Sequence, residues 1–432
     1  MDILHVVQLY PPAASGAGRY FAEIGERLAR EGHRVTVLAT DAWDLEHLWA
    51  PGKRRATPAE EVRNGVRVLR LAVRRAPGPP LVYPLTRRLM VELSRLPRTE
   101  GLLRRMAGFT PRLPNFNRAL AAAGRFDLVH VTNITLDFAI FPAFAYARRV
   151  GAAFLCTPFV HLGVPGDPSL VRYYSMRHQL DLLRRSDRVI AMTGRERDFL
   201  AARGVPAARL RVVGVGVEPA EVLGGDGARF RAEQRVDGPL VLFIGALARD
   251  KGAITLVEAM RRLWAAGSDA TLALIGAPLE HFVRYHAGLP AEVRARIRLL
   301  PYAPEAVKRD ALAAADVFAM PSRTDSFGIV YLEAWLYGLP VIGARAGGVP
   351  DVIDDGRDGL LVGFDDVPEL AAALGRFLAD RDLARRLGAA GREKTLRAYT
   401  WDAIYRRARS VYQELLANHE GPEVRTPDKV TG

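Results

Sequence analysis

Cysteine is nearly missing from this chain. Cys156 is the single one in 432 residues, so no internal disulfide can form, and no Cys/His group has zinc-like spacing. Long apolar runs are missing too: the most apolar stretch, residues 128–147, is interrupted by His130, Asn133 and Asp137 and fails as a membrane span. Residues 1–9 lack the basic start and the length of a secretory signal peptide. No internal repeat or low-complexity block occurs, and no stacking-aromatic motif for nucleic acid. The expectation is a cytoplasmic protein, at most peripheral at the inner face of a membrane, with no nucleic-acid partner.

What is present points to packed α/β domains. A length of 432 residues exceeds one typical core and suits two domains, and 49% hydrophobic with 25% charged residues are globular values. The formal net charge of +13 asks for an acidic partner or surface. Arginines gather between Arg74 and Arg118 among Leu, Val, Tyr and Met, in a segment repeatedly broken by proline. Such a stretch suits contact with anionic lipid, or is an arginine-rich solvated surface.

Residues 3–9 read as a buried strand, 20–30 as an amphipathic helix and 35–38 as the next strand. Gly16 and Gly18 lie in the loop between strand and helix, where an open α/β sheet brings its backbone close to ligands. Residues 63–73 alternate like a strand. Residues 127–131 and 154–162 read as short strands, each carrying a histidine near its carboxyl end, His130 and His161, at the mouth of a cleft; a hydrogen-bonded structural histidine is the plain alternative for each. A Gly-rich stretch at 224–227 marks a loose connection, and residues 211–219 beside it resemble the passage between the two domains of a known family. The expected domains are therefore 1–217 and 218–400, with a helix at 401–416 and a disordered tail at 420–432.

Beyond residue 240 a second strand-loop-helix unit opens with Gly245, Arg249 and Lys251-Gly252, an ammonium at a helix start that can balance phosphate charge. Residues 321–362 carry the densest pattern: Asp325, then Ser326-Phe327-Gly328-Ile329, Glu333 eight residues after the aspartate, and Gly338-Leu339-Pro340 before a strand. This reads as an acid at each end of one short helix, about 12 Å apart along its axis, with unpaired first-turn amides between them. Carboxylates accept hydrogen bonds from sugar hydroxyls and a helix start favours phosphate, so the pattern suits a nucleotide sugar. An N-cap for Asp325 and a solvated place for Glu333 are the plain alternatives.

Taken whole, residues 321–362 resemble the signature of retaining glycosyltransferases of the GT-B fold, the family that includes phosphatidylinositol mannosyltransferases and sucrose synthases. The resemblance implies two Rossmann-like α/β/α domains facing each other across a cleft, the last helix crossing back onto the first. It implies transfer of a sugar from an NDP-sugar to a glycan or lipid-linked saccharide, with retention, without a metal and without a cofactor besides the donor. Lys251 would meet the diphosphate, Asp325 the sugar, Glu333 the ribose, His161 the sugar and acceptor, and the segment at Tyr302 the base. His130 is the acceptor-side reserve. Gly16, Gly18, Gly245, Arg249, Ser326, Phe327, Gly328 and Ile329 would complete the donor site. Asp325 and Ala246 stand where the family pattern has Glu and Arg, Phe159 takes the place of its histidine two residues before His161, and the asparagine of its interdomain passage is absent from 211–217. Another GT-B activity, such as an epimerase or hydrolase, and a weakly active nucleotide-sugar-binding scaffold are the rival readings.

Overall fold

A computed structural model describes residues 1–419. The tail expected at 420–432 lies outside the described residues. The chain forms two parallel sheets in succession. The first contains β1 (Asp2–Val6), β2 (Arg34–Thr40), β3 (Glu60–Arg63), β4 (Val66–Leu71), β5 (Leu128–Thr132), β6 (Ala153–Thr157), β7 (Arg188–Ala191) and β8 (Leu210–Val212). Their order is β3-β4-β2-β1-β5-β6-β7-β8, and only the β3–β4 pair is antiparallel. The second contains β9 (Leu240–Ile244), β10 (Thr271–Ile275), β11 (Ile297–Leu300), β12 (Val317–Ala319), β13 (Val341–Ala344) and β14 (Leu360–Val362), in the order β11-β10-β9-β12-β13-β14.

Both sheets are covered by helices on their two faces, which is why β5, β6, β9 and β10 are mostly apolar and wholly buried. Strand order reverses between β1 and β5 in one sheet and between β9 and β12 in the other, and ligands of open α/β sheets bind at such switch points. This is the two-domain GT-B arrangement. Residue 218 falls between β8 and β9.

The helix expected at 20–30 begins earlier. Helix α1 (Gly16–Arg30) starts with Ser15 as N-cap, its Oγ accepting from the Gly18 N–H at 3.3 Å, so both glycines belong to the first turn rather than to a loop. A Cβ on Gly18 would stand 2.4 Å from the Leu9 carbonyl oxygen. Its glycine therefore lets α1 pack onto the end of the first strand. The strand expected at 63–73 is a hairpin, β3 and β4, turned at Asn64-Gly65 with both residues at positive φ.

The C-terminal helix, Trp401–His419, returns to the first sheet. Its Tyr412 hydroxyl lies 3.0 Å from His5 Nε2 and 2.5 Å from His130 Nδ1, and Glu414 pairs with Arg188 and Arg211 on β7 and β8. No helix among the described residues is long and apolar enough to cross a membrane.

Candidate functional site

The two switch points face each other. After β9, the turn Arg249–Lys251 ends at Gly252, whose φ of +80° is taken against Pro321: a Cβ there would approach the Pro321 carbonyl oxygen to 2.5 Å. Lys251 is thereby pressed against the loop that leaves β12. Its ammonium lies 2.9 and 3.0 Å from the two Asp325 carboxylate oxygens. Burial pushes the Asp325 carboxyl up, but Lys251, together with hydrogen bonds from Ser322 and Lys251, holds it below the usual carboxylate value.

His161 completes this cluster from the other domain. Phe159 takes a positive φ of 51° and turns its ring into the interior, edge-on to Tyr20 at 5.8 Å. The chain then swings His161 toward the second domain, where it hydrogen-bonds the Thr324 backbone, senses Asp325 and Lys251, and stacks on Tyr174 at 5.0 Å. Glu196 steadies the same loop, accepting from the Val160 and Met192 N–H groups at 2.7 Å each.

His130 is not at the cleft. It is 1% exposed in the middle of β5, directly beside His5 on β1, with Tyr412 on one ring nitrogen and Thr157 Oγ1 on the other at 2.7 Å. Strand parity decides this: its side of the sheet is the one that α1 and the C-terminal helix cover.

The helix after Asp325 also differs from expectation. It runs Ile329–Leu336, with Gly328 as N-cap at φ +91°, so Asp325 stands four residues ahead of it and Glu333 in its middle. A Cβ on Gly328 would lie 2.5 Å from the Tyr331 ring, which forces glycine at that turn. Glu333 is 6% exposed, with Lys308 Nζ 3.0 Å from Oε1 and 2.9 Å from Oε2. Phe327 is buried against Tyr399, with ring centres 5.4 Å apart; its side chain fixes the loop and does not line the site. Ser326 and Ile329 are half-buried, and Gly245 follows β9 beside Met320. Tyr302 is 76% exposed at φ +55° on the loop after β11. Arg249 turns its guanidinium to Asp365 at 2.7 Å.

Sequence reasoning missed Lys308 and Asp167. Lys308 sits on the helix Glu305–Ala314, in no motif. Asp167 accepts from Arg323 across the domain gap at 3.3 Å, while the same guanidinium holds Asp250 at 2.9 Å. Further contacts close the gap: the Gly347 N–H donates to the Gly163 carbonyl at 2.8 Å and the Arg195 N–H to Asp351 at 2.6 Å. A cavity of about 900 Å³ opens next to them, between the 162–168 loop, the helix start at Gly194 and residues 346–351. It begins one residue beyond His161 and does not surround Lys251, whose side chain is engaged with Asp325; the roomier opening is therefore on the first-domain side. No group of three or more His, Cys, Asp or Glu able to hold a metal occurs among the described residues.

Residues 227–394 match the family described as glycosyl transferases group 1, and residues 15–216 the glycosyl transferase 4-like domain. The chain belongs to the group 1 glycosyltransferases. Among the relatives of this group 1 chain, α-maltose-1-phosphate synthase of Mycolicibacterium smegmatis is 34% identical over 54% of the chain and 64% of its own length. A GDP-mannose-dependent α-(1-6)-phosphatidylinositol monomannoside mannosyltransferase of the same organism is 36% identical over 47% of the chain and 56% of its own length. The matches thus span a little over half of these relatives. The solved sucrose-phosphate synthase of Thermosynechococcus elongatus superposes with a TM-score of 0.74 at 25% identity, covering 96% of this chain and 99% of that one.

The buried histidines give the fold an acid limit. Burial lowers His5 to about 3 and His161 to about 4, and lowers His130 as well. Unfolding releases them to bind protons near 6.5, so the unfolded state holds more protons below that pH and stability falls as pH drops through this window. Each histidine contributes about 1.4 kcal/mol per pH unit. Glu196 acts oppositely: burial raises it to about 7, so its contribution, full below 4.5, is lost as pH rises through 7. Three histidines outweigh one glutamate. The melting temperature is expected to fall steadily between pH about 6.5 and about 4, and a flat thermal-unfolding profile there would contradict the buried neutral imidazoles.

Proposed function

We propose that this chain transfers a sugar from a nucleoside-diphosphate sugar to a glycan or lipid-linked acceptor, with retention at the anomeric carbon and without a divalent ion. The observation that carries the reading is the meeting of Lys251, Asp325 and His161 at the facing switch points of two domains. A diphosphate placed between Lys251 and the start of Ile329–Leu336 would exchange Asp325 for a phosphate oxygen on the ammonium. First-turn amides would share the charge. The released Asp325 carboxylate can then accept from sugar hydroxyls.

As the anomeric C–O bond breaks, the electron pair leaves with the diphosphate, whose charge Lys251 and the helix start stabilise. The acceptor hydroxyl attacks the face being vacated and gives its proton to the departing phosphate oxygen. His161, neutral near pH 7, offers a hydrogen bond to the sugar from the first domain. Glu333 would take the ribose hydroxyls, with Lys308 holding its carboxylate in place.

Glu333→Ala is accordingly expected to weaken nucleotide binding about 10- to 100-fold, the loss of one or two charge-assisted hydrogen bonds, as read by titration calorimetry. A thermal-shift screen of UDP-, GDP- and ADP-sugars, followed by assay of slow nucleotide release, tests the whole reading. Stabilisation by none of them would remove it. Ala246 favours a second reading, a binding protein with little turnover, because the nearby Arg249 and Arg323 are both committed to acids. Stabilisation without nucleotide release across a range of acceptors would select it.

A further inference from the structure

Between β4 and β5 the chain makes an excursion with three helices, Val82–Leu93, Glu100–Ala107 and Phe116–Ala123. Residues 74–118 hold ten arginines and two glutamates, a net +8 of the chain's +13. The first of these helices, α2 (Val82–Leu93), packs inside out. Its inward side carries Arg87, 7% exposed, beside Met90 and Val91. Its outward side carries leucines at every fourth position: Leu81 is 63% exposed, Leu85 58% and Leu89 53%, and Leu96 continues the patch at 54%. Six of the thirteen exposed large hydrophobic residues among the described residues fall within 81–109, where an even scatter would put about one.

A tight ionic anchor keeps α2 in this orientation. Arg87 Nη1 donates to Asp137 at 2.8 Å, and His178 Nε2 lies 2.8 Å from the same carboxylate. The leucines therefore stay outward, and Arg88, Arg95, Arg98 and Arg105 of the same excursion are exposed as well.

We propose that this face docks on the surface of an anionic phospholipid bilayer, leucines in the headgroup–acyl boundary and arginines among the phosphates. Charge selects this occupant. A second copy meeting the same patch by two-fold symmetry would oppose arginines to arginines. Nucleic acid would satisfy the arginines and leave the leucine row in water, with no stacking aromatics on it. An anionic bilayer satisfies both kinds of side chain.

The helix that bears the patch is connected to the cleft through its inward side. Tyr173 packs against the Met90–Val91 side of α2, and the next residue, Tyr174, stacks on His161. Resting on the proposed transfer reaction, docking would hold the first domain at the membrane, where a lipid-borne acceptor is supplied.

Flotation of the full chain with vesicles, without any sugar nucleotide, tests the docking separately from the chemistry. Wild type is expected to float with phosphatidylglycerol-containing vesicles at least about tenfold more tightly than with pure phosphatidylcholine, and more weakly at high salt. Leu85→Glu/Leu89→Glu is expected to lose about tenfold or more in vesicle affinity with an unchanged melting temperature, since both side chains are exposed; Leu85→Gln/Leu89→Gln should follow it without added charge. Lys251→Ala should float like wild type even where transfer fails. Absence of flotation with anionic vesicles, or leucine variants that float undiminished, would overturn the proposal. So would a wild-type dimer in light scattering that these leucine changes dissolve.

Discussion

Replacing Lys251 with alanine is expected to slow turnover of the sugar nucleotide by about 10²- to 10³-fold, with a smaller loss of donor affinity. The size is that of removing one preorganised charge from a leaving group, about 2.7–4 kcal/mol. Three features make Lys251 hard to replace. Its position is set by Gly252 against Pro321, so a neighbour cannot slide into its place. Ala246 supplies no second cation. Arg249 and Arg323 are held by Asp365, Asp250 and Asp167.

The substitution would also leave Asp325 without the ammonium that keeps its carboxyl low, and a negative side chain would then face the incoming phosphate. Arg249→Ala is the useful comparison, because that guanidinium is 67% exposed and already paired; less than about a threefold change is expected for it. Steady-state and single-turnover assays of nucleotide release separate the two effects. Equal rates for Lys251→Ala and wild type would remove the site assignment.

Asp137→Ala should cost the first domain about 3–5 kcal/mol, because it strips a buried guanidinium of its counter-ion. Asp137 is 2% exposed and Arg87 7%, so water cannot take over. His178, fully buried and stacked on Phe141, loses its partner at the same moment. For a domain of this size the midpoint of thermal unfolding would drop by about 10 °C. The paired change Arg87→Met/Asp137→Leu removes both charges and is expected to recover most of that loss. Calorimetric scans of the two variants decide the matter: if Asp137→Ala melts with wild type, the buried pair is not what holds α2 to the domain.

Residues 321–362 made the second domain legible from sequence because their signal is local. A strand, a glycine turn, an apolar helix and a Gly-Leu-Pro stop follow one another without help from distant contacts, and Lys251 is placed by the same strand-loop-helix logic one unit earlier. Where the helix starts was set instead by Gly328 and its clearance from Tyr331, a three-dimensional contact that spacing does not reveal. His130 and His161 look alike as strand-end histidines. One turned inward because the C-terminal helix covers its side of the sheet, the other outward because Phe159 adopts a left-handed conformation. Lys308 carried no signal at all, since its partner Glu333 is brought to it only by tertiary packing. The excursion at 74–118 read as mixed pattern for a physical reason: its first helix puts leucine outside and arginine inside, the reverse of what amphipathic periodicity assumes.

The C-terminal helix has a consequence for how the molecule comes into being. The hydroxyl that bridges His5 and His130 belongs to Tyr412, so synthesis must run 407 residues beyond His5 before the sheet that opens with Asp2–Val6 can be sealed. Until then His5 and His130 lack the hydroxyl they share. A chain that stops between the two sheets would leave the first one without the helix that seals it.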